Sequence, residues 1–117
     1  GKVHIAYFHD FVDNDLEYAT NASGSWTTVA IDQEGDVGFD CDLAVDSVGS
    51  VHIVYRDLTS SPLLKYATNR FGTWETDFLS AGGIGDAAIA IDARDKLHVT
   101  FSGSDSLTYM TNSDAEP

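Results

Sequence analysis

The sequence predicts an all-β fold built from repeated four-stranded antiparallel units, about two and a half of them in 117 residues. Three observations carry the prediction. Segments recur at a fixed spacing, each recurring unit divides into short strands between turn residues, and no segment sustains a helical period.

The recurrence is dense. Gly1-Lys2-Val3-His4-Ile5-Ala6-Tyr7 matches Gly49-Ser50-Val51-His52-Ile53-Val54-Tyr55, and Leu16-Glu17-Tyr18-Ala19-Thr20-Asn21 matches Leu64-Lys65-Tyr66-Ala67-Thr68-Asn69. Gly24-Ser25-Trp26-Thr27 matches Gly72-Thr73-Trp74-Glu75, all at one offset of 48 without a gap. A shorter third copy holds Lys96-Leu97-His98-Val99-Thr100-Phe101 and Leu107-Thr108-Tyr109-Met110-Thr111-Asn112. Leu43-Ala44-Val45-Asp46 returns as Ile89-Ala90-Ile91-Asp92 at an offset of 46. The repeat units are therefore 1–48, 49–95 and a partial 96–117.

Each element has its own signal. Strand a is the apolar run from Cys41 to Asp46, and again from Ala87 to Asp92. Asp46-Ser47-Val48-Gly49-Ser50 follows, where Asp accepts local backbone hydrogen bonds and Gly takes positive φ, as a tight hairpin needs. Asp92-Ala93-Arg94-Asp95-Lys96 fills the same place without the glycine. Strand b, Val51 to Tyr55, is rich in β-branched and aromatic residues. Strand c, Leu64 to Thr68, places Leu, Tyr and Thr on one face and Lys and Ala on the other. The turn Asn69-Arg70-Phe71-Gly72 leads into strand d, expected at Thr73 to Thr76.

Four antiparallel strands in 46 to 48 residues match the repeat length and strand count of a β-propeller blade. A sandwich or meander that arose by duplication is the alternative. The strands run b-c-d, a-b-c-d, a-b-c, ten in all. A closed propeller needs about four to eight blades, so closure is expected only by oligomerisation or within a longer repeat array, and a dimer would supply twenty strands. An open stack would leave sheet faces and edges bare.

The pattern Val-His-Ile-x-Tyr … Leu-x-Tyr-Ala-Thr-Asn-x-x-Gly-x-Trp resembles repeats of bacterial secreted and cell-surface proteins. That resemblance implies propeller blades and an extracellular or cell-surface location, and no particular activity. Asn21 to Trp26 and Asn69 to Trp74 are also similar to the sialidase Asp-box turn, with a different Asn–Gly–Trp spacing. That motif is structural and carries no catalysis.

Six Lys and Arg against 19 Asp and Glu give a net charge of −13, which argues against nucleic acid or anionic membrane as partner. No apolar run reaches the ~20 residues of a membrane helix, and no signal-peptide pattern opens the chain. The single cysteine, Cys41, excludes an internal disulfide and a cysteine zinc site. Aspartate outnumbers glutamate by 15 to 4, in keeping with many hairpin turns.

Three residue sets are candidates for chemistry. His4, His52 and His98 share one repeat position and read as strand histidines satisfied by neighbouring strands, against a ring of metal or ligand contacts. Trp26, Trp74, Tyr18 and Tyr66 are candidate ligand-binding aromatics, since a flat apolar ring suits the face of a pyranose; packing between blades is the competing use. Asp10, Asp13 and Asp15 cluster in one b–c loop, and Asp36 and Asp40 in the following d–a connection. Calcium takes six to eight oxygen ligands, so either loop could serve it. The second unit lacks these clusters, which would confine a calcium site to one blade. Catalysis has little support. Arg56, Arg70 and Arg94 occupy non-equivalent repeat positions, no nucleophile-elbow, zinc-protease or phosphate-loop motif is present, and Cys41 lies in an apolar strand beside two aspartates.

The function expected is a non-catalytic binding or scaffold module that recognises a glycan or a protein at its loops or between blades. The partners expected are copies of itself or the rest of a longer array. The alternatives are a sialidase-like propeller hydrolase whose catalytic blades lie elsewhere, and a structural subunit of a surface assembly.

Overall fold

The structure is a computed structural model that describes residues 2–10, 14–60, 62–81, 85–103 and 106–112; the side chains of Asp10 and Ala81 lie outside that description. Among the described residues the chain forms ten strands and no helix. They are β1 (His4–Asp10), β2 (Asn14–Thr20), β3 (Thr27–Asp32), β4 (Val37–Val45), β5 (Val51–Asp57), β6 (Leu63–Thr68), β7 (Glu75–Ala81), β8 (Ala87–Ile91), β9 (Leu97–Ser102) and β10 (Leu107–Thr111). Every strand pairs antiparallel with its sequence neighbour, in three sheets. Sheet I holds β1-β2-β3, sheet II β4-β5-β6-β7 and sheet III β8-β9-β10.

The expected strand order is thus present, and the sequence repeat is also a repeat of register. His4 lies opposite Thr20, His52 opposite Thr68 and His98 opposite Thr111. A bulge interrupts the β2–β3 pairing beside Leu16 and Glu17, and another interrupts β6–β7 beside the equivalent Leu64 and Lys65. The bulged residues, Ile31 and Leu79, pack into equivalent cores.

The three sheets stack, because sheet II is apolar on both faces. Val51, Ile53, Tyr55 and Ala67 meet Leu16, Tyr18, Ala6 and Ile31 of sheet I in one core, with Val37, Cys41 and Leu43 from β4. Val54, Leu64, Tyr66, Ala44 and Leu79 meet Ile89, Val99, Phe101 and Leu97 of sheet III in the other. Successive side chains on a strand point to opposite faces, so β5 sends residues 51, 53 and 55 one way and 54 the other. All five residues from Val51 to Tyr55 are buried for this reason.

Two strands start elsewhere than the sequence suggests. Strand d begins at Glu75 and runs to Ala81; Trp74 stands in front of it and tilts against Tyr18 of sheet I, ring centroids 5.1 Å apart. Strand a of sheet II begins at Val37 rather than Cys41. Its register shifts twice between Val37 and Asp42, which breaks the period-two alternation by which a strand is read. Gly38 sits in that irregular stretch at φ +100°, where a Cβ would lie 2.9 Å from the Asp15 carbonyl oxygen. The strand can approach the β2 backbone only because this residue has no side chain.

Two measurements check this packing. Trp74→Ala empties the contact with Tyr18 and should cost about 3 kcal/mol in urea unfolding, whereas Val48→Ala, at an 83% exposed turn position, should stay within about 0.5 kcal/mol. Gly38→Ala combines left-handed strain with a backbone clash and should cost about 2 kcal/mol. An unchanged unfolding midpoint for Gly38→Ala would contradict the close approach.

Candidate functional site

The repeated polar residues form one hydrogen-bond unit per sheet. In sheet II, His52 Nδ1 lies 2.6 Å from the Tyr66 hydroxyl and His52 Nε2 lies 2.9 Å from Asp46 Oδ2. In sheet III the same distances join His98 to Tyr109 and Asp92, and in sheet I His4 Nδ1 is 2.6 Å from the Tyr18 hydroxyl. A carboxylate only accepts, so Nε2 donates to it; in a neutral imidazole Nδ1 then accepts the phenol proton. The other oxygen of the aspartate holds the hairpin, accepting from the backbone N–H of Val48 and Ser50, or of Arg94 and Lys96. Gly49 takes φ +89° in this turn, and its counterpart Asp95 takes φ +61°.

The same end of each strand pair, beside the histidine, is tied by two further side chains. Asn21, Asn69 and Asn112 accept from the backbone N–H of Val3, Val51 and Leu97 through Oδ1, at 2.7 to 2.8 Å. Thr20, Thr68 and Thr111 donate to the carbonyls of the same three residues. The histidine, threonine and asparagine of the repeat are thus used in architecture.

A buried ionic group that the sequence reading missed joins sheets I and II. Tyr55 donates to Asp32 Oδ2 at 2.8 Å, and Lys65 Nζ lies 2.7 Å from the same oxygen and 3.7 Å from Asp57 Oδ2. Burial favours the neutral acid, but the hydrogen bonds from Lys65, Tyr55 and the Glu34 backbone outweigh it and hold the Asp32 carboxyl below its usual range. Burial first, and the neighbouring Asp32 second, push the Tyr55 phenol far up. No repeat equivalent of Asp32 exists, since Ser80 occupies that place; only the fold brings it to Tyr55 and Lys65.

The described acidic candidates each have a polar partner. Asp13 lies outside the described residues, as does the side chain of Asp10. Asp36 accepts from the Asn14 side-chain amide and its N–H donates to the Thr59 hydroxyl. Asp40, at φ +49°, pairs with Arg56. Asp15 is buried, with one oxygen 3.5 Å from the Gln33 amide. The set among the described residues able to share a metal ion is His9, Asp15 and Glu17, whose ligand atoms lie within 4.8 Å of one another. One imidazole with two carboxylates suits a transition-metal ion better than calcium, which takes oxygen ligands. Cys41 is a poor nucleophile in this setting: burial, then the flanking Asp42 and Asp40, push its thiol up.

The aromatic candidates separate by environment. Tyr18 is buried beneath Trp74 and bonded to His4. Trp26, the equivalent of Trp74, is exposed. Tyr66, the equivalent of Tyr18, instead borders an open cleft between sheets II and III. That cleft has a volume of about 280 Å³, with Leu79, Val99 and Met110 as its apolar wall and Arg70 and Asp77 at its margin. A second hollow of about 250 Å³ continues past Arg70 and Asn112 toward the hairpin tips, where Asp46, Ser50 and Asp95 line it. Asp95 also bridges the two sheets, accepting from the Ser47 N–H at 2.9 Å and from its hydroxyl. Sequence reading found Tyr66, and Arg70 follows it in the next turn; Met110 and Asn112 come to its cleft, and Asp95 to the adjoining hollow, only through sheet stacking.

The hairpin aspartates make acid stability testable. Hydrogen bonds from His98 and the Lys96 and Arg94 N–H groups hold Asp92 down to about 2. Asp46 is also lowered: its partial burial works the other way, but His52 and the Ser50 and Val48 N–H groups prevail. A carboxyl whose folded pKa is depressed contributes stability that is complete above its unfolded value near 4 and is lost as pH falls through the folded value. The melting temperature should therefore drop between about pH 4 and pH 2. Asp46→Asn should cost about 1 kcal/mol at neutral pH and make that acid limb shallower. An acid limb equally steep in the variant would show that Asp46 takes no part.

No protein-family model matches this sequence, and no curated protein matches it either.

Proposed function

We propose that this chain is a three-blade portion of a β-propeller and acts as a non-catalytic binding module at the cell surface or outside the cell. Its ligand carries a flat, partly apolar ring, for which a pyranose of a glycan is the fitting chemistry. The observation that carries this reading is the cleft beside Tyr66. Between sheets I and II the equivalent tyrosine is covered by the Trp74 indole. Between sheets II and III the described residues leave a cleft of about 280 Å³ beside Tyr66, with room for a ring. Aromatic faces with a few polar groups at the margin are the usual make-up of such sites, and Arg70, Asp77 and Asn112 supply those groups.

The propeller reading draws support from the stack itself. Antiparallel sheets pack face to face, each repeats the same histidine–tyrosine, threonine and asparagine bonds, and the a–b hairpins of sheets II and III lie side by side through Ser47 and Asp95. Calcium is not required by this reading.

The chain has a single methionine, Met110, and it lines the cleft. Its ¹³C-methyl resonance should shift when oligosaccharides of glucose, galactose or N-acetylglucosamine are titrated in. Tyr66→Phe keeps the ring and should retain binding, while Arg70→Ala should weaken it about tenfold. No movement of the Met110 methyl with any of the three sugar series would overturn the proposed ligand class.

A further inference from the structure

Two sheet faces repeat the residues of the internal interfaces yet meet nothing among the described residues. Each interface joins one kind of face to another. The face of sheet II that meets sheet I carries Val51, 1% exposed, and Ile53, fully buried. The equivalent face of sheet I carries Val3 and Ile5, 43% and 44% exposed, together with Trp26 at 56%. On the opposite side, Leu16 and Leu64 are fully buried under the next sheet. Their equivalent in sheet III, Leu107, is 77% exposed, and beside it Tyr109 is 57% exposed where Tyr18 is 6%.

The open faces are therefore one of each kind. The same pairing of face to face occurs twice within the chain, by residues at the same repeat positions. Resting on the propeller reading above, we propose that a second copy of this chain docks head to tail, its sheet I on the sheet III of the first. Trp26 of one copy covers Tyr109 of the other as Trp74 covers Tyr18. The contact is heterologous, since the two surfaces differ, and closing it in both directions gives a ring of six sheets from two chains. That number falls within the four to eight blades of closed propellers. Each chain carries a net charge of −13, so mutual repulsion opposes docking and added salt should strengthen it.

The test is mass by multi-angle light scattering across a concentration series, on the wild type, Trp26→Asp and Leu107→Asp. Both positions are exposed within one copy, and circular dichroism checks that each variant keeps its strands. The wild type should show twice the chain mass, more firmly at 0.5 M than at 0.05 M salt. Each variant should be a monomer. An equimolar mixture should recover the dimer mass, because Trp26→Asp keeps a native sheet III face and Leu107→Asp a native sheet I face. A wild type that stays monomeric at hundreds of micromolar overturns the proposal. So does a variant that keeps the wild-type mass, or a folded mixture that stays monomeric. Sugar titration of the same samples through the Met110 methyl separates the two readings. Binding by a monomer overturns docking alone, and a dimer without binding overturns the ligand alone.

Discussion

A sheet with apolar side chains on both faces cannot be stable by itself, and everything in this structure follows from sheet II being one. Strand β5 is buried along both faces, with Val51, Ile53 and Tyr55 directed to one neighbour and Val54 to the other. Removing those side chains from water is the main favourable term for such a fold. It forces a stack of sheets in place of a single sheet with one wet face. The stacking sets where the hairpins point, which side chains from different strands converge, and which sheet faces remain open.

The polar residues of the repeat work inside that constraint. Each histidine sits in the strand pair with its tyrosine partner, and in sheets II and III also reaches back to the aspartate that shapes the a–b hairpin. In sheet II, where His52 is buried, the unit satisfies groups that stacking would otherwise leave without partners, a loss of about 1–3 kcal/mol each. Asp32 works differently. It crosses from sheet I to Tyr55 and Lys65 of sheet II and has no repeat counterpart. Among the described residues the two interfaces are therefore chemically distinct: Trp74 and an ionic group close the first, and a cleft lies beside Tyr66 in the second.

Much of the site was legible residue by residue. The structural use of His4, His52 and His98 follows from their shared place in the repeat, and Asp46 and Asp92 recur in the same alignment, so their pairing with the histidines had a visible signal. The separation of Trp26 from Trp74 had none. Both stand at one repeat position in similar local sequence, and only the sheet placed against Trp74 half-buries it while Trp26 stays exposed. Asp15 reads as part of one loop cluster, and Asp36 and Asp40 as part of another. Extended strands and a bulge send their side chains to Gln33, Asn14 and Arg56 instead. Spacing in a sequence cannot convey this, because a bulge changes the face to which every later side chain points.

The sequence by itself determined the strand order, the antiparallel pairing of neighbours, the hairpin chemistry and the residues forming each internal hydrogen-bond unit. These are local matters of alternation, turn preference and short-range partners, and the repeat states them more than once. The tertiary structure alone decided which copy of each repeated residue is covered, how Asp32 meets Lys65, and that Met110 and Asn112 gather beside Tyr66. Those outcomes depend on what lies across a sheet face. Equivalent residues carry the same local code and differ only in their neighbours through space.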